Sequence, residues 1–149
     1  MLTKLRFKNF KVWKDSGNIR LAPLTVLFGT NSAGKTSIPQ LPLLLKQTAE
    51  SPDRQRALHL GDSRTLVDAG TYDEVVHSHD TRHPLEFDLE WRPMDAPDIK
   101  DALSGEIFRV DHLGFLAKFL ADKRGQPVVD RFEYRFGKDR DNGLLRQAP

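Results

Sequence analysis

The chain of 149 residues is long enough for one domain with a buried core, and 38% hydrophobic and 30% charged residues are typical of a soluble globular protein. The net charge of +2 is too small to predict nucleic-acid binding by itself, and the lack of cysteine excludes disulfides, thiolate metal sites and a cysteine nucleophile. We find neither an apolar run of about 18 residues nor the apolar centre of a signal peptide, so we predict a cytoplasmic protein with no membrane partner.

The N-terminal residues alternate between apolar and basic side chains, with a period of two that is typical of a half-exposed strand. The apolar positions are Leu5 and Phe7, and the basic ones are Lys4, Arg6 and Lys8. This basic strip could face a nucleic acid. We favour the other interpretation, the solvated face of an edge strand, since exposed lysine also blocks aggregation there.

A buried strand is predicted next. A turn cluster over 14–18 and a short strand over 19–21 lead to residues 24–28, with the sequence LTVLF. A nearly continuous apolar run of this length is typical of a parallel strand covered on both faces.

Residues 29–37, GTNSAGKTS, fit the phosphate-binding pattern G-x-x-x-x-G-K-[ST] at every fixed position. Glycines at both ends let the loop adopt positive φ angles, so that backbone N–H groups can surround the α- and β-phosphates of a nucleotide. Lys35 would reach the β- and γ-phosphates, and the Thr36 hydroxyl would bind Mg²⁺. The predicted nucleotide-binding residues are Gly29, Asn31, Ser32, Ala33, Gly34, Lys35, Thr36 and Ser37.

The loop should open a buried helix from residue 35 to about residue 49, whose N-terminal dipole favours phosphate. Pro39 and Pro42 cannot donate hydrogen bonds within it, so we expect a kink or irregular first turns. Ser51, followed by Pro52, predicts the start of a short helix that runs to about His59.

The opening Asn9-Phe10-Lys11, followed by the phosphate-binding pattern, resembles the start of ABC-type ATPases of the RecF/SMC/OLD group, often described as AAA-family ATPases. The matching positions in the second part are Gly29, Asn31, Gly34, Lys35, Thr36 and Ser37. The later stretches LLLKQTAES and GTYDEVVH are similar to a bacterial branch of uncharacterised and defence-associated members of that group.

The resemblance implies an α/β fold of the P-loop NTPase type: an incomplete ABC-type lobe I, with antiparallel β-hairpins flanking the P-loop strand and helix. It implies ATP and Mg²⁺ as cofactors, a homodimer across the ATP site in the full-length protein, and a role linked to DNA or to phage defence. It also implies that Lys11 contacts the nucleotide phosphates. Residue statistics alone give a surface lysine at this position the same weight as a phosphate contact.

The chain is accordingly predicted to be the N-terminal portion of a single ABC-type ATPase domain, residues 1–149. Within it we distinguish a P-loop core (1–62), a connection and strand (63–104), β-hairpins (105–137) and a frayed tail (138–149). Alternating residues predict strands over 85–91, 107–110 and 132–136, and a hairpin turn at 123–125. Residues 113–120 fit both the helical and the strand period, and the turn favours a strand.

A histidine cluster in the connection invites a metal interpretation, because an H-x-H pair on a strand projects both rings to one face. The candidates are His77, His79, Asp80 and His83. Nothing else in the chain supplies the usual spacing of partner ligands, so we favour polar loop histidines. Asp73 and Glu74 are likewise interpreted as exposed charges.

Hydrolysis of ATP needs further groups that the sequence does not supply clearly. A second Mg²⁺ anchor should follow an apolar strand, and Asp88 and Asp130 are poor candidates because neither follows such a run. Gln126 and Gln147 are unsupported candidates for the glutamine that the resemblance implies, and an L-S-G-G-like signature is missing. We therefore assign no catalytic residue, and expect an N-terminal part that binds ATP without fast hydrolysis.

Two alternatives stay open. A small self-contained kinase or GTPase is one. Asp111 and Gly114 fit the D-x-x-G pattern of GTPases, but the N-K-x-D pattern that recognises guanine is missing. Lys123 and Arg124 are too few basic residues for the arginine-rich lid of a kinase. A degenerate, non-catalytic nucleotide-binding module is the other, and it is compatible with the missing second Mg²⁺ anchor.

Overall fold

The structure is a computed structural model that describes residues 1–100, 105–138 and 141–147. β-strands are the main regular structure of the described chain. They are β1 (Leu2–Phe10), β2 (Trp13–Asp15), β3 (Ile19–Arg20), β4 (Leu85–Trp91), β5 (Asp98–Lys100), β6 (Ile107–Arg109), β7 (His112–Ala121), β8 (Pro127–Lys138) and β9 (Asp141–Gln147). The helices are α1 (Ser37–Glu50) and the single turn α2 (Tyr72–Val75), which is followed by a 3-10 turn at His77–His79.

Seven strands form one sheet in the order β2-β1-β4-β7-β8-β9, and β3 pairs with β1 on the same side as β2. Among the described residues, all neighbouring strands of this sheet pair antiparallel. A second, two-stranded sheet joins β5 and β6. The sheet therefore places the end of β1, the start of β4 and the β7–β8 turn at one end.

The alternation of the sequence separates the two faces of this sheet. Leu5 and Phe7 of β1 are buried on the inner face and lie beside Leu89 and Phe87 of β4. Residues with a period of two bury one set of side chains and expose the other. The strand prediction for 85–91 is confirmed with these bounds, and the predictions over 5–8, 113–120 and 132–136 lie inside longer strands.

Helix α1 packs against the inner face through Leu41 and Leu44, neither of which is exposed. Its helical prediction is confirmed, although the helix begins at Ser37 rather than at Lys35. The remaining core residues come from the sheet and from the connection between α1 and β4. They are Leu58, Val67, Ala69, Tyr72, Val75, Val76, Leu85, Ala117 and Phe119, together with Phe10.

The outer face carries alternating rows of charge. Lys8 of β1 and Lys118 of β7 contact Glu86 of β4 at 3.1 and 2.8 Å. Lys4 contacts Glu90 at 2.7 Å, and Arg6 contacts Asp15 at 2.7 Å. Carboxylates therefore neutralise the basic strip of β1, which supports the interpretation as a solvated face.

The structure contradicts the buried strand predicted over 24–28. These residues form no strand, and Leu24 and Phe28 are 82% and 89% exposed. A parallel strand needs neighbours on both edges. All pairings of the large sheet in the described part of the chain are antiparallel, so this run has no place there.

Two further predictions are wrong. No helix starts at Ser51, because its hydroxyl accepts from Asp53 N and the Asp53 carboxylate accepts from Gln55 N, which closes turns instead. The tail predicted to fray from 138 instead contributes β9, which pairs with β8 from Phe132 to Lys138. Residues 139–140 and 148–149 of that tail lie outside the described residues.

Within the described residues, no helix is both long enough and apolar enough to cross a membrane.

Candidate phosphate-binding site

The loop over 29–36 connects an exposed segment to the N-terminus of α1. Gly29, Ser32 and Gly34 all adopt positive φ angles, of 148°, 64° and 80°. Glycine takes such angles without the steric cost that a Cβ brings. Ser37 N donates to the Gly34 carbonyl at 3.1 Å, so the loop passes directly into the helix.

The Lys35 ammonium lies across the loop. It donates to the carbonyls of Gly29 at 2.8 Å and Thr30 at 2.5 Å. The backbone N–H groups of Gly34 and Lys35 donate to no protein acceptor in the described part of the chain. The loop therefore combines a cation with N–H groups that have no acceptor among the described residues, just before a helix N-terminus, and both features suit an anion.

The β1–β2 hairpin supports the loop from one side. Trp13 Nε1 donates to the Gly34 carbonyl at 3.2 Å. A Cβ at Gly34 would collide with the Val12 side chain and would lie 2.6 Å from Trp13 Nε1. Gly34 is therefore required by packing as well as by its φ angle.

Lys11 points to a backbone carbonyl in the connection between α1 and β4. Its ammonium donates to the Ala69 carbonyl at 3.1 Å, and its own backbone N donates to Val75 O at 2.7 Å. The phosphate contact that the resemblance implies for Lys11 would require this ammonium to leave Ala69. Its neighbour Val12 reaches the loop, so Lys11 lies one residue from that contact.

Asn9 ties the end of β1 to the histidine-containing loop. Its amide nitrogen donates to the carbonyls of Asp80 at 3.1 Å and His83 at 2.7 Å, and its oxygen accepts from His77 N at 3.1 Å. The opening Asn9-Phe10-Lys11 thus packs inward on all three residues, since Phe10 lies in the core.

The stretch GTYDEVVH contains α2 and its cap. Glu74 accepts hydrogen bonds from Thr71 N at 2.7 Å and from the Thr71 hydroxyl at 3.0 Å. The Tyr72 hydroxyl donates to the Phe119 carbonyl at 2.7 Å and accepts from Leu85 N at 3.3 Å. These contacts give the residues of this stretch a structural role in capping α2 and anchoring it to the sheet.

The histidines of the connection have separate partners. His77 Nδ1 lies 3.1 Å from the Lys11 carbonyl, His79 Nδ1 lies 3.2 Å from the Asp73 carboxylate, and His83 Nδ1 lies 3.1 Å from the Asp80 carboxylate. No group of three or more histidine, cysteine or acidic side chains that could hold a metal ion is found among the described residues.

The acidic candidates for Mg²⁺ lie elsewhere. Asp88 lies on the outer face, opposite to the face that α1 covers, and pairs with Arg135 and, at 3.9 Å, with Lys4. Asp130 is exposed at a bulge of β8, between residues paired with Lys118 and Phe119.

Among the described residues, no hydrogen bond or ion pair joins the glutamine candidates or the D-x-x-G to the loop. Gln126 is exposed in the β7–β8 turn, where its carbonyl accepts from Asp122 N. The side chain of Gln147 lies outside the described part of the structure. Gly114 lies within β7, opposite Glu90, so the D-x-x-G runs into a strand.

Two residues with specific polar contacts could not be assigned from the sequence, and one of them, Trp13, contacts the loop. The sequence marks Trp13 only as apolar, and its spacing from the loop gives no signal of the contact with Gly34. The second is Gln47 of α1, which is buried. Its amide nitrogen donates to the carbonyls of His59 at 2.6 Å and Val67 at 3.1 Å. A glutamine on the buried face of a predicted helix is a signal that could have identified it.

Comparison of the chain with known protein families gives no matching family model, and comparison with curated proteins gives no match.

Proposed function

We propose that this chain binds ATP together with Mg²⁺ through residues 29–37. The observation that carries the proposal is the combination of the Lys35 ammonium with the free N–H groups of Gly34 and Lys35 at the N-terminus of a 14-residue helix. A polyphosphate would replace the carbonyls that Lys35 now contacts and would accept from these N–H groups.

The residues of the loop fit the metal as well. The Thr36 side chain is exposed and makes no hydrogen bond in the structure, so its hydroxyl is available as an oxygen ligand. Mg²⁺ prefers oxygen ligands and usually binds together with substrate phosphates. When bound, it would neutralise phosphate charge that Lys35 alone leaves uncompensated.

We further propose that the chain acts as the N-terminal part of a larger ABC-type ATPase. Asp88 and Asp130 lie away from the loop, so neither would supply the second Mg²⁺ anchor that hydrolysis needs. A cytoplasmic location, dimerisation across the ATP site and a role linked to DNA or phage defence rest on the resemblance of the N-terminal motifs.

Isothermal titration calorimetry with ATP and Mg²⁺ tests the binding proposal. Lys35→Ala removes charge-assisted hydrogen bonds to phosphate, which are worth about 1.5–3 kcal/mol, so Kd should rise about tenfold or more. Lys46→Ala is the matched control, since this lysine of α1 is exposed and pairs with Glu50 at 3.8 Å.

Equal loss of affinity in both variants would show that binding depends on general charge and not on the loop. Failure of the unchanged chain to bind either ATP or GTP in the presence of Mg²⁺ would overturn the proposal. Preference for GTP would favour the GTPase alternative.

A further inference from the structure

The phosphate-binding loop contacts an indole that belongs neither to the loop motif nor to the opening Asn9-Phe10-Lys11. We propose that Trp13 is a positioning residue: by holding the Gly34 carbonyl, it directs the Lys35 N–H toward the phosphates. This inference rests on the proposed function, because it assigns a role at the same nucleotide site.

Peptide geometry links the two groups. The Gly34 carbonyl and the Lys35 N–H belong to one planar peptide unit, in which they point in opposite directions when the bond is trans. No cis peptide bond is found in the described chain. The Gly34 carbonyl accepts from Trp13 Nε1 at 3.2 Å and from Ser37 N at 3.1 Å, so the indole acts together with the start of α1 to set the direction of the Lys35 N–H. This N–H has no acceptor among the described residues.

The indole is itself held in place. Its ring meets Phe7 edge to face, with centroids 6.0 Å apart and planes at 89°, and Phe7 meets Phe10 in the same way at 5.6 Å. Phe7 and Phe10 are fully buried. Such aromatic pairs prefer these geometries, so the core restrains Trp13 and, through it, the loop.

Glycine at position 34 completes the contact. The space that a Cβ would need is taken by Val12 and by Trp13 Nε1. The indole can therefore approach the backbone closely enough to donate only because Gly34 has no side chain. The β1–β2 hairpin thus contributes a surface that the loop fits.

The chain offers a direct spectroscopic test, because it contains only two tryptophans. Trp91 pairs with Leu2 at the opposite end of β1 from Trp13, so Trp91→Phe leaves Trp13 as the single reporter. In this variant we expect ATP with Mg²⁺ to change the emission of Trp13. In Trp13→Phe, the remaining emission of Trp91 should stay constant on the same addition.

Affinity supplies the second measurement. Trp13→Phe keeps an aromatic ring but removes the N–H donor, and the loss of one neutral hydrogen bond should raise Kd for ATP about two- to tenfold. Trp91→Phe is the matched control. It makes the same exchange at the other tryptophan, which pairs with Leu2 at the opposite end of β1 from Trp13, so it should leave Kd unchanged.

Each outcome decides the inference. An unchanged Kd in folded Trp13→Phe would overturn it, and so would constant Trp13 emission in a Trp91→Phe protein that binds ATP by calorimetry. If Trp13→Phe fails to fold, the emission of the Trp91→Phe protein decides alone. Absence of calorimetric binding in the unchanged chain would instead reject the proposed function and this inference with it.

Discussion

The side chain of Asn9 is buried and has partners for its oxygen and for its amide nitrogen. Its backbone adopts a positive φ of 54°, which asparagine tolerates better than most residues with a Cβ. The amide donates twice and accepts once, so neither aspartate nor leucine of similar volume could satisfy the same three backbone groups. Contacts with residues about 70 positions away therefore require asparagine at position 9.

Such distant partners explain what the sequence could not predict at this scale. The loop motif was recognisable because its chemistry lies within nine consecutive residues. The contacts of Lys11 with Ala69 and of Trp13 with Gly34 depend on the fold, and no spacing in the sequence encodes them. The sequence also does not show which of the two tyrosines is buried. In the structure Tyr72 is buried, whereas Tyr134 is half exposed.

Replacing Tyr72 by phenylalanine should destabilise the protein. The change leaves the Phe119 carbonyl and the Leu85 N–H buried without their partner, which costs about 1–3 kcal/mol of the free energy of unfolding. Urea denaturation at neutral pH measures this loss. Tyr134→Phe is the matched control and should change the free energy of unfolding by less than about 0.5 kcal/mol.

The pH dependence of stability gives this prediction a second measurement. Burial raises the pKa of Tyr72 above its ordinary value of 10.0, and the hydrogen bond from Leu85 N offsets part of that rise. The unfolded chain therefore loses the proton first, and stability falls as pH rises above 10 toward the folded pKa. Tyr72→Phe should show a shallower fall than the unchanged chain, and an equal fall would contradict the assignment.

At the scale of elements, β-strands were predicted well wherever charge alternates with apolar residues. β4 was predicted with its observed bounds because both of its faces are marked in the sequence: Leu85, Phe87 and Leu89 inward, and acidic residues outward. The helix predicted from Ser51 is not formed. Serine and aspartate side chains can accept hydrogen bonds from backbone N–H groups either at a helix N-terminus or within a turn. Only the tertiary position of this segment decides between the two.

Helix α1 continues through Pro42, which the sequence led us to treat as a source of irregularity. Pro42 cannot donate to the Ile38 carbonyl, and a proline inside a helix costs about 3 kcal/mol. Pro42→Ala should therefore increase the free energy of unfolding by about 1–3 kcal/mol in urea denaturation, since the ring and the missing donor are both removed.

Pro39 provides the matched comparison in the same helix. It lies in the first turn, where the N–H would lack a helical partner in any case, so proline is tolerated there. Pro39→Ala should leave stability unchanged or lower it slightly, because alanine increases the freedom of the unfolded chain. A gain from Pro39→Ala as large as that from Pro42→Ala would refute this account of the helix.

For the whole molecule, the exposed run over 24–28 is the main difference between the prediction and the structure. The sequence predicts a buried parallel strand here, whereas the run is exposed and the pairings of the large sheet in the described part of the chain are antiparallel. The loop over 29–36 nevertheless has positive φ angles at Gly29 and Gly34, the Lys35 contact across it and the hydrogen bond from Trp13. These local features shape the loop although no strand precedes it.

The double variant Leu24→Ser/Phe28→Ser tests the exposure of this run. Both side chains are more than four-fifths exposed, so their replacement should change the free energy of unfolding by less than about 0.5 kcal/mol in urea. Binding of the dye ANS should fall, because it reports exposed apolar surface. Leu41→Ser/Leu44→Ser is the control for burial, and it should lose several kcal/mol or fail to fold, because it places two hydroxyls in the core. If the variant at 24 and 28 were destabilised as strongly as this control, the run would be buried in solution, as the sequence predicts.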